Sequence, residues 1–387
     1  MTVARGPRIF ISAGEVSGDI VAAKLIAALR NVNPSSIIDG IGGPRMADAG
    51  ATVIASADHI GAVGVSEGLA VVPAAHRVFR AVKRYLRDER PNVAILIAND
   101  VFNVVLGRSL RARGITTISL FPPQTWIWQS LARAIAPSFD LVLASFPEED
   151  ECYRRAGVAT EFVGHYLANV LTPSTPADKA AARRELGLRP SDPVVALFPG
   201  SRPLEIERLM PVLLAVADRM RADVPSLQLM AALTTPRTTS RSDSSRTPNG
   251  HDIGISRDSH LTMRAADVVV CCSGTATLEA ALIGVPMVVA YTASRTTYAI
   301  VRASIGVGLM ASDTVALPNL VLGRPVVPEF IQRHVAAPAI AEAAVALIHE
   351  GGPRREMLQA LNEVRTHVER ADTLANVARI VHERVRA

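Results

Sequence analysis

Residues 265–281 read AADVVVCCSGTATLEAA, and this stretch decides the fold. Residues 268–272 form a continuous apolar, β-rich run, the pattern of a strand buried on both faces. Ser273, Gly274 and Thr275 interrupt it with small residues, and residues 277–282 resume as a helix. A loop of this kind aims backbone N–H groups and a helix N-terminus at open space, which suits an anion and above all a phosphate. Glu279 is expected on the first helical turn, where a carboxylate complements the helix dipole. It is also a candidate to accept hydrogen bonds from a ribose, as acidic residues do in other nucleotide-binding folds. An ordinary strand-to-helix corner shares this grammar, so the neighbouring segments have to decide between the two.

The grammar recurs along the chain. Residues 8–12 predict a strand, followed by the loop Ala13-Gly14-Glu15-Val16-Ser17-Gly18-Asp19 and a helix over 20–29. Gly14 and Gly18 permit close backbone approach, while Glu15, Ser17 and Asp19 offer polar contacts or helix caps. Strand 37–41 runs into Gly42-Gly43-Pro44-Arg45-Met46, and GAVGVSE follows at 61–67. Residues 76–90 are amphipathic and basic, a solvated helix face or a face for a membrane surface. Strand 92–98 is followed by Asn99, Asp100 and Asn103, and strand 115–120 by Phe121-Pro122-Pro123-Gln124-Thr125-Trp126-Ile127-Trp128. Both tryptophans lie there, two residues apart, as in a binding wall. Strand 161–163 ends on Gly164-His165. Residues 172–188, with two prolines, a charged helix and a Gly stop, read as an interdomain linker with a short helix, after which the alternation restarts: strand 194–198, loop Pro199-Gly200-Ser201-Arg202, helix 205–221, strand 227–232. Residues 234–252 are polar and of low complexity, a surface excursion. Strand 287–291 follows, Leu317-Pro318-Asn319-Leu320 is read as a loop, and residues 327–332 as the start of a helix. Residues 354–386 are helical with a break near Ala371. Two βα series of similar size argue for an α/β protein of two doubly wound, Rossmann-like domains facing a cleft lined by strand ends.

Composition narrows the function classes. The 387 residues suffice for two domains. They are 49% hydrophobic but only 4% aromatic, which indicates a large aliphatic core. A net charge of +5 is mild for this length. It gives no reason to expect nucleic-acid binding, and it is compatible with a face for anionic lipid or phosphorylated substrates. Cys152, Cys271 and Cys272 make no disulfide framework, which points to a reducing, cytosolic setting. No signal-peptide pattern opens the chain, and no 18-residue apolar run is present to span a membrane.

Taken together, these segments resemble the lipid-A-disaccharide synthase family, inverting glycosyltransferases of the GT-B fold. The resemblance is collinear over nearly the whole chain. It is carried by SAGEVSGD (12–19), GIGGPRM (40–46), PPQTWIW (122–128), FVGH (162–165), PGSRPLEI (199–206), SGTATLEA (273–280), PMVVAY (286–291), LPN (317–319) and VPEFIQ (327–332). It implies transfer of a sugar from UDP-2,3-diacylglucosamine to 2,3-diacylglucosamine 1-phosphate, giving a β-1,6-linked disaccharide and UDP. It implies an acceptor-side domain over 1–171, a linker over 172–192 and a UDP-sugar-binding domain over 193–352. The helices over 353–387 would be free to pack back on the first domain. By the same likeness Gly200, Ser201, Arg202, Ser273, Gly274, Thr275, Ala276, Thr277, Glu279 and Asn319 hold the donor nucleotide. Gly14, Ser17, Gly18, Asp19, Asn103, Trp126 and Gln332 contact the sugars. No metal or further cofactor is required. The partners are the UDP-linked acylated glucosamine, a lipid acceptor and the anionic inner face of the cytoplasmic membrane, and a homodimer is compatible.

The chain departs from the family pattern on the acceptor side. The aspartate of a pattern like Ile-Asp-x-Pro-x-Phe-Asn falls on Ala98. A general base has to reach the attacking hydroxyl, so Asp100, Glu15 and His165 are the candidate catalytic groups. Leu120-Phe121-Pro122-Pro123 replaces Tyr-Val-Ser-Pro, and His165-Tyr166 replaces His-Pro. The donor motifs are intact. A transferase with another acceptor, a catalytically weak UDP-sugar binder and the UDP-N-acetylglucosamine epimerase branch are therefore the competing readings.

Overall fold

The computed structural model describes residues 6–14, 16–56, 65–98, 100–125, 129–233, 246–293, 298–299, 303–304 and 314–386. Glu15 and Trp126 lie outside this set, as do the side chain of Asp100 and most of the polar excursion.

The first sheet contains β1 (Arg8–Ala13), β2 (Ile37–Gly42), β3 (Thr52–Ser56), β4 (Val93–Ile97), β5 (Thr116–Leu120), β6 (Leu141–Ala144) and β7 (Ala159–Phe162). Its strand order is β3-β2-β1-β4-β5-β6-β7, paired in parallel throughout. The second sheet contains β8 (Val194–Phe198), β9 (Gln228–Ala232), β10 (Gly254–Ser256), β11 (Val268–Cys271), β12 (Met287–Tyr291) and β13 (Glu329–Ile331). Its order, β10-β9-β8-β11-β12-β13, repeats the first. The apolar runs of β4, β8 and β11 are buried along their whole length, because helices cover both faces of a parallel sheet. In both sheets the winding reverses beside the first strand, between β1 and β4 and between β8 and β11. Ligands of doubly wound folds bind at the carboxyl ends of strands at such a reversal.

Besides the three-residue edge strand β10, two edge strands escape the sequence reading. The first, β3, is short and nowhere fully buried, so its pattern is weak. The second, β13, replaces the helix expected over 327–332. It pairs with β12 from Val289↔Glu329 to Tyr291↔Ile331. The open edge of β12 offers backbone partners to a β-branched and aromatic segment, and that outweighs local helix propensity.

The chain divides into two compact units. One holds Met1–Asn169, Ser294–Asp313 and Val368–Ala387, and the other Val170–Ala293 and Thr314–His367. Residues 172–192, expected as a linker, fall inside the second unit. Their helix Pro176–Glu185 starts with a reciprocal cap between Thr175 and Asp178. Its Lys179 and Arg183 both bind Asp267, and the Arg183 contact is 2.7 Å. Asp267 also accepts the Val194 N–H at 2.7 Å, so one carboxylate ties this helix to the start of β8. The C-terminal helices separate at residues 369–372. Helix Gly352–Val368 belongs almost wholly to the second unit, and Thr373–Arg386 packs on the Val16–Val32 helix of the first. Among the described residues no helix is long and apolar enough to cross a membrane.

Candidate functional site

In the second unit, adjacent strands β8 and β11 bring two predicted motif loops together at the winding reversal. Gly200-Ser201-Arg202 leaves β8 and opens helix Pro203–Asp223. Glu205, on that helix's first turn, organises the loop. Its Oε2 accepts the Ser201 and Arg202 N–H groups at 3.1 and 3.2 Å, and its Oε1 accepts from the Arg202 guanidinium at 2.9 Å. Gly200 has φ +119°, and a Cβ there would fall 2.6 Å from Glu205 Oε2. Only glycine fits. The Arg202 side chain is 43% exposed, so its guanidinium is both oriented by Glu205 and open to an anion. Glu205 lies within the motif at 199–206, where the sequence alone assigns it no contact. Its signal is an acidic residue three positions into a helix that starts with Pro203.

The loop after β11 supplies the other wall. Helix Thr275–Ile283 begins two residues before its expected start, with Gly274 as N-cap at φ +130°. Gly274 and Thr275 are exposed at this N-terminus and Ala276 is half-buried. Ser273 Oγ donates to the Val315 carbonyl at 2.7 Å. Thr277 is fully buried: its hydroxyl donates to the Gly274 carbonyl at 2.8 Å and accepts the Leu317 N–H at 3.2 Å. Ser273 and Thr277 thus hold the loop, and Gly274 and Thr275 face outward. Because the helix starts early, Glu279 is its fifth residue and sits beyond the first turn. Its Oε1 lies 3.2 Å from His260 Nε2 on helix Ser259–Ala265. That hydrogen bond raises the His260 pKa above its ordinary value, against the opposing effect of burial.

Asn319 and Gln332 do structural work. Asn319 is buried on helix Leu317–Leu322, where a loop was expected. Its Nδ2 donates to the Val327 carbonyl and Glu329 Oε1, both at 2.9 Å. Its Oδ1 accepts the Val326 and Val327 N–H groups at 2.7 and 2.8 Å. The amide is used up in securing β13. Gln332 has φ +54° and donates to the Ala293 carbonyl at 3.1 Å.

In the first unit the corresponding loops are largely self-satisfied. Asp19 is 4% exposed, and its carboxylate accepts the N–H groups of Gly43, Arg45 and Met46 at 2.9, 3.1 and 3.0 Å. It therefore fastens one predicted motif to another. Asn103 is 2% exposed. It donates to the carbonyls of Ile97 and Ala98 at 3.1 and 2.5 Å and accepts from Ser12 Oγ at 2.7 Å. It bridges the ends of β1 and β4. Gly14 and Gly18 are buried, Ser17 is exposed, and a Cβ at Gly18 would meet nothing closer than 3.6 Å. At the ends of the neighbouring strands β4 and β5, Ala98 and Phe121 both adopt left-handed backbone, φ +49° and +54°. That conformation is costly for residues with a Cβ.

The family model described as lipid-A-disaccharide synthetase matches residues 9–380. The chain belongs to that family. A lipid-A-disaccharide synthase of Geobacter sulfurreducens is 36% identical over 343 residues, 88% of each chain. Among solved structures, the glycosyltransferase of kitacinnamycin superposes with TM-score 0.62 at 16% identity, covering 98% of this chain and 100% of its own. A UDP-GlcNAc 2-epimerase from Neisseria meningitidis bound to UDP-GlcNAc gives 0.64 at 11%, covering 97% and 98%. At those identities the structural likeness bears on fold alone, and it is the GT-B fold. Family membership makes the chain a glycosyltransferase of the lipid-A-disaccharide synthase type.

Against the synthase family's chemistry, the three candidate bases fare differently. Glu15 lies outside the described residues. Asp100 opens helix Asp100–Arg111, and its side chain lies outside them too. His165 is 8% exposed among Phe121, Phe146 and Tyr166, and Nδ1 accepts the Leu167 N–H at 3.3 Å. Burial pushes its pKa down to about 3. An imidazole that protonates only near pH 3 is a weak base at neutral pH. Among the described residues no group of three or more His, Cys, Asp or Glu side chains is placed to hold a metal ion.

Proposed function

We propose that this chain moves a 2,3-diacylglucosamine unit from UDP to 2,3-diacylglucosamine 1-phosphate, forming the β-1,6-linked disaccharide and releasing UDP. The observation that carries this reading is the pairing of β8 with β11 in a chain of this family. It brings an oriented arginine and an exposed helix N-terminus to one strand-end crevice. Gly274, Thr275 and Ala276 would receive the pyrophosphate on backbone N–H groups. Arg202 would clamp the departing phosphate, where charge grows as the sugar leaves. Glu279 would accept from the ribose hydroxyls. Ser273 and Thr277 would hold the loop in shape, and no metal or further cofactor takes part in the scheme. On the acceptor side Asp100 would take the hydroxyl proton, with Glu15 as the alternative. Asp19 and Asn103 would shape the site without touching the sugar.

Calorimetric titration with UDP tests the donor half. Arg202→Ala and Glu279→Ala are each expected to weaken binding by about 1.5–3 kcal/mol, the worth of a charge-assisted hydrogen bond. Wild-type affinity in both variants removes the assignment. Alanine at position 98 favours one second reading, transfer to a different acceptor, which mass spectrometry of products with and without the acceptor distinguishes. The acyl chains of the substrates and the exposed basic residues Arg77, Arg80, Lys83, Arg84 and Arg87 on helix Val65–Asp88 or just inside its end support docking on an anionic membrane. That docking would weaken with salt in vesicle flotation.

A further inference from the structure

The donor motifs leave one polar neighbour without a role. His260 stands on the first turn of helix Ser259–Ala265, which runs back from the carboxyl end of β10 towards the start of β11. Glu279 stands on the helix that leaves β11. The chain's return therefore places both side chains towards the carboxyl edge of the second sheet, Nε2 to Oε1 at 3.2 Å. The pair is half open to solvent, with side-chain exposures of 38% for His260 and 18% for Glu279.

We propose that His260 is a positioning residue for the Glu279 carboxylate and that its proton makes nucleotide affinity depend on pH. This deepens the donor-site reading above and rests on it. One carboxylate oxygen is held by His260, and the other is left to accept from a ribose. In the imidazolium form Nε2–H is a fixed donor and adds a positive charge beside a crevice built for an anionic nucleotide. In the neutral form Nε2 carries a proton in only one of two tautomers, and the charge is gone.

The groups around His260 set the direction. Glu279 faces it from the neighbouring helix and Asp258 precedes its own helix, and both favour the cation. Arg264, on the next turn, opposes it, as does partial burial. Helix Pro176–Glu185 also packs against this helix. Its Asp178 interacts with Arg264, and its Lys179 and Arg183 are bound to Asp267. Strands β8 and β9, also packed there, carry no titratable side chain. The net shift is upward from the ordinary 6.5, with the hydrogen bond to Glu279 as its largest cause. A bound nucleotide adds negative charge nearby and raises the pKa further. By linkage, affinity is full below the free protein's His260 pKa and declines as pH rises through the raised value.

The experiment is UDP titration by calorimetry for the wild type, His260→Gln, Glu279→Ala and Arg202→Ala at pH values from 6 to 8.5. Each is run in two buffers of different ionisation enthalpy, after thermal melting has verified folding. Glutamine keeps a neutral donor and removes the titration. Comparing it with the wild type at each pH cancels the proton equilibria of UDP itself. The wild-type affinity, taken relative to His260→Gln, is expected to fall roughly threefold across the range, the effect of a binding-induced pKa rise of about half a unit. The wild type should also take up a fraction of a proton more than His260→Gln on binding within that pH range. Equal pH slopes and equal proton uptake in the two proteins would overturn the role of His260, even with Glu279→Ala and Arg202→Ala impaired. Unimpaired binding by Glu279→Ala and Arg202→Ala would instead overturn the donor site itself.

Discussion

The two strand-end crevices of this chain are built on the same winding and use their polar residues in opposite ways. In the first unit, between β1 and β4, the motif residues look inward. Asp19 meets three backbone N–H groups and Asn103 bridges two strand ends through three hydrogen bonds. His165 is a neutral ring among aromatic side chains. In the second unit, between β8 and β11, the fastening falls on Glu205, Ser273 and Thr277. Gly274, Thr275 and half of Arg202 are left facing solvent. A motif residue at a strand end can therefore either be the contact or hold the contact in place, and burial with full hydrogen bonding separates the two.

The largest effect that would break this contrast is expected at Asp19. Asp19→Ala leaves three backbone donors without their acceptor, and each unmade buried bond costs about 1–3 kcal/mol. We expect a stability loss of about 3 kcal/mol or more in urea unfolding. A loss under about 1 kcal/mol would mean that the carboxylate is free for a ligand, and the contrast would fail.

A smaller effect is expected at His165, and pH exposes it. Its folded pKa, about 3, lies below the ordinary 6.5, so below pH 6.5 the unfolded chain takes up the proton more readily than the folded one. The stability contributed by the neutral ring is full above that pH and is lost as pH falls towards 3. At pH 5 the loss is about 2 kcal/mol by linkage. Relative to the wild type, His165→Asn should lose less stability between pH 7 and pH 5. Equal losses would show that the ring is solvated and able to act as a base.

The smallest effect on stability is expected at Arg202, because its pair with Glu205 is half exposed. Arg202→Ala should change unfolding stability by about 1 kcal/mol or less, while UDP binding falls as set out above. A large stability loss with intact UDP binding would turn Arg202 into a fastener like Asp19 and erase the difference between the two units.

The sequence by itself determined the alternation of strands and helices, the two-part α/β build and the family. The apolar runs at 93–97, 194–198 and 268–271 carry those signals locally, through burial on both faces. It also located the loops that end at Arg202 and begin at Ser273, because small residues after such runs are unambiguous. Only the tertiary structure decided what each polar residue in those loops does. Asp19 is separated from Met46 by 27 positions and Asn103 from Ser12 by 91, so nothing within either motif reveals that its side chain is already engaged. Edge strand β13 and the anchoring of the short helix within 172–192 belong to the same class. They depend on the free edge of β12 and on Asp267, partners that a local pattern does not contain. The His260–Glu279 pair, 19 positions apart on separate helices, exists only because the chain turns back through β11. Periodicity records which face of an element is buried, and hydrogen bonding between distant segments records what that burial leaves available for chemistry.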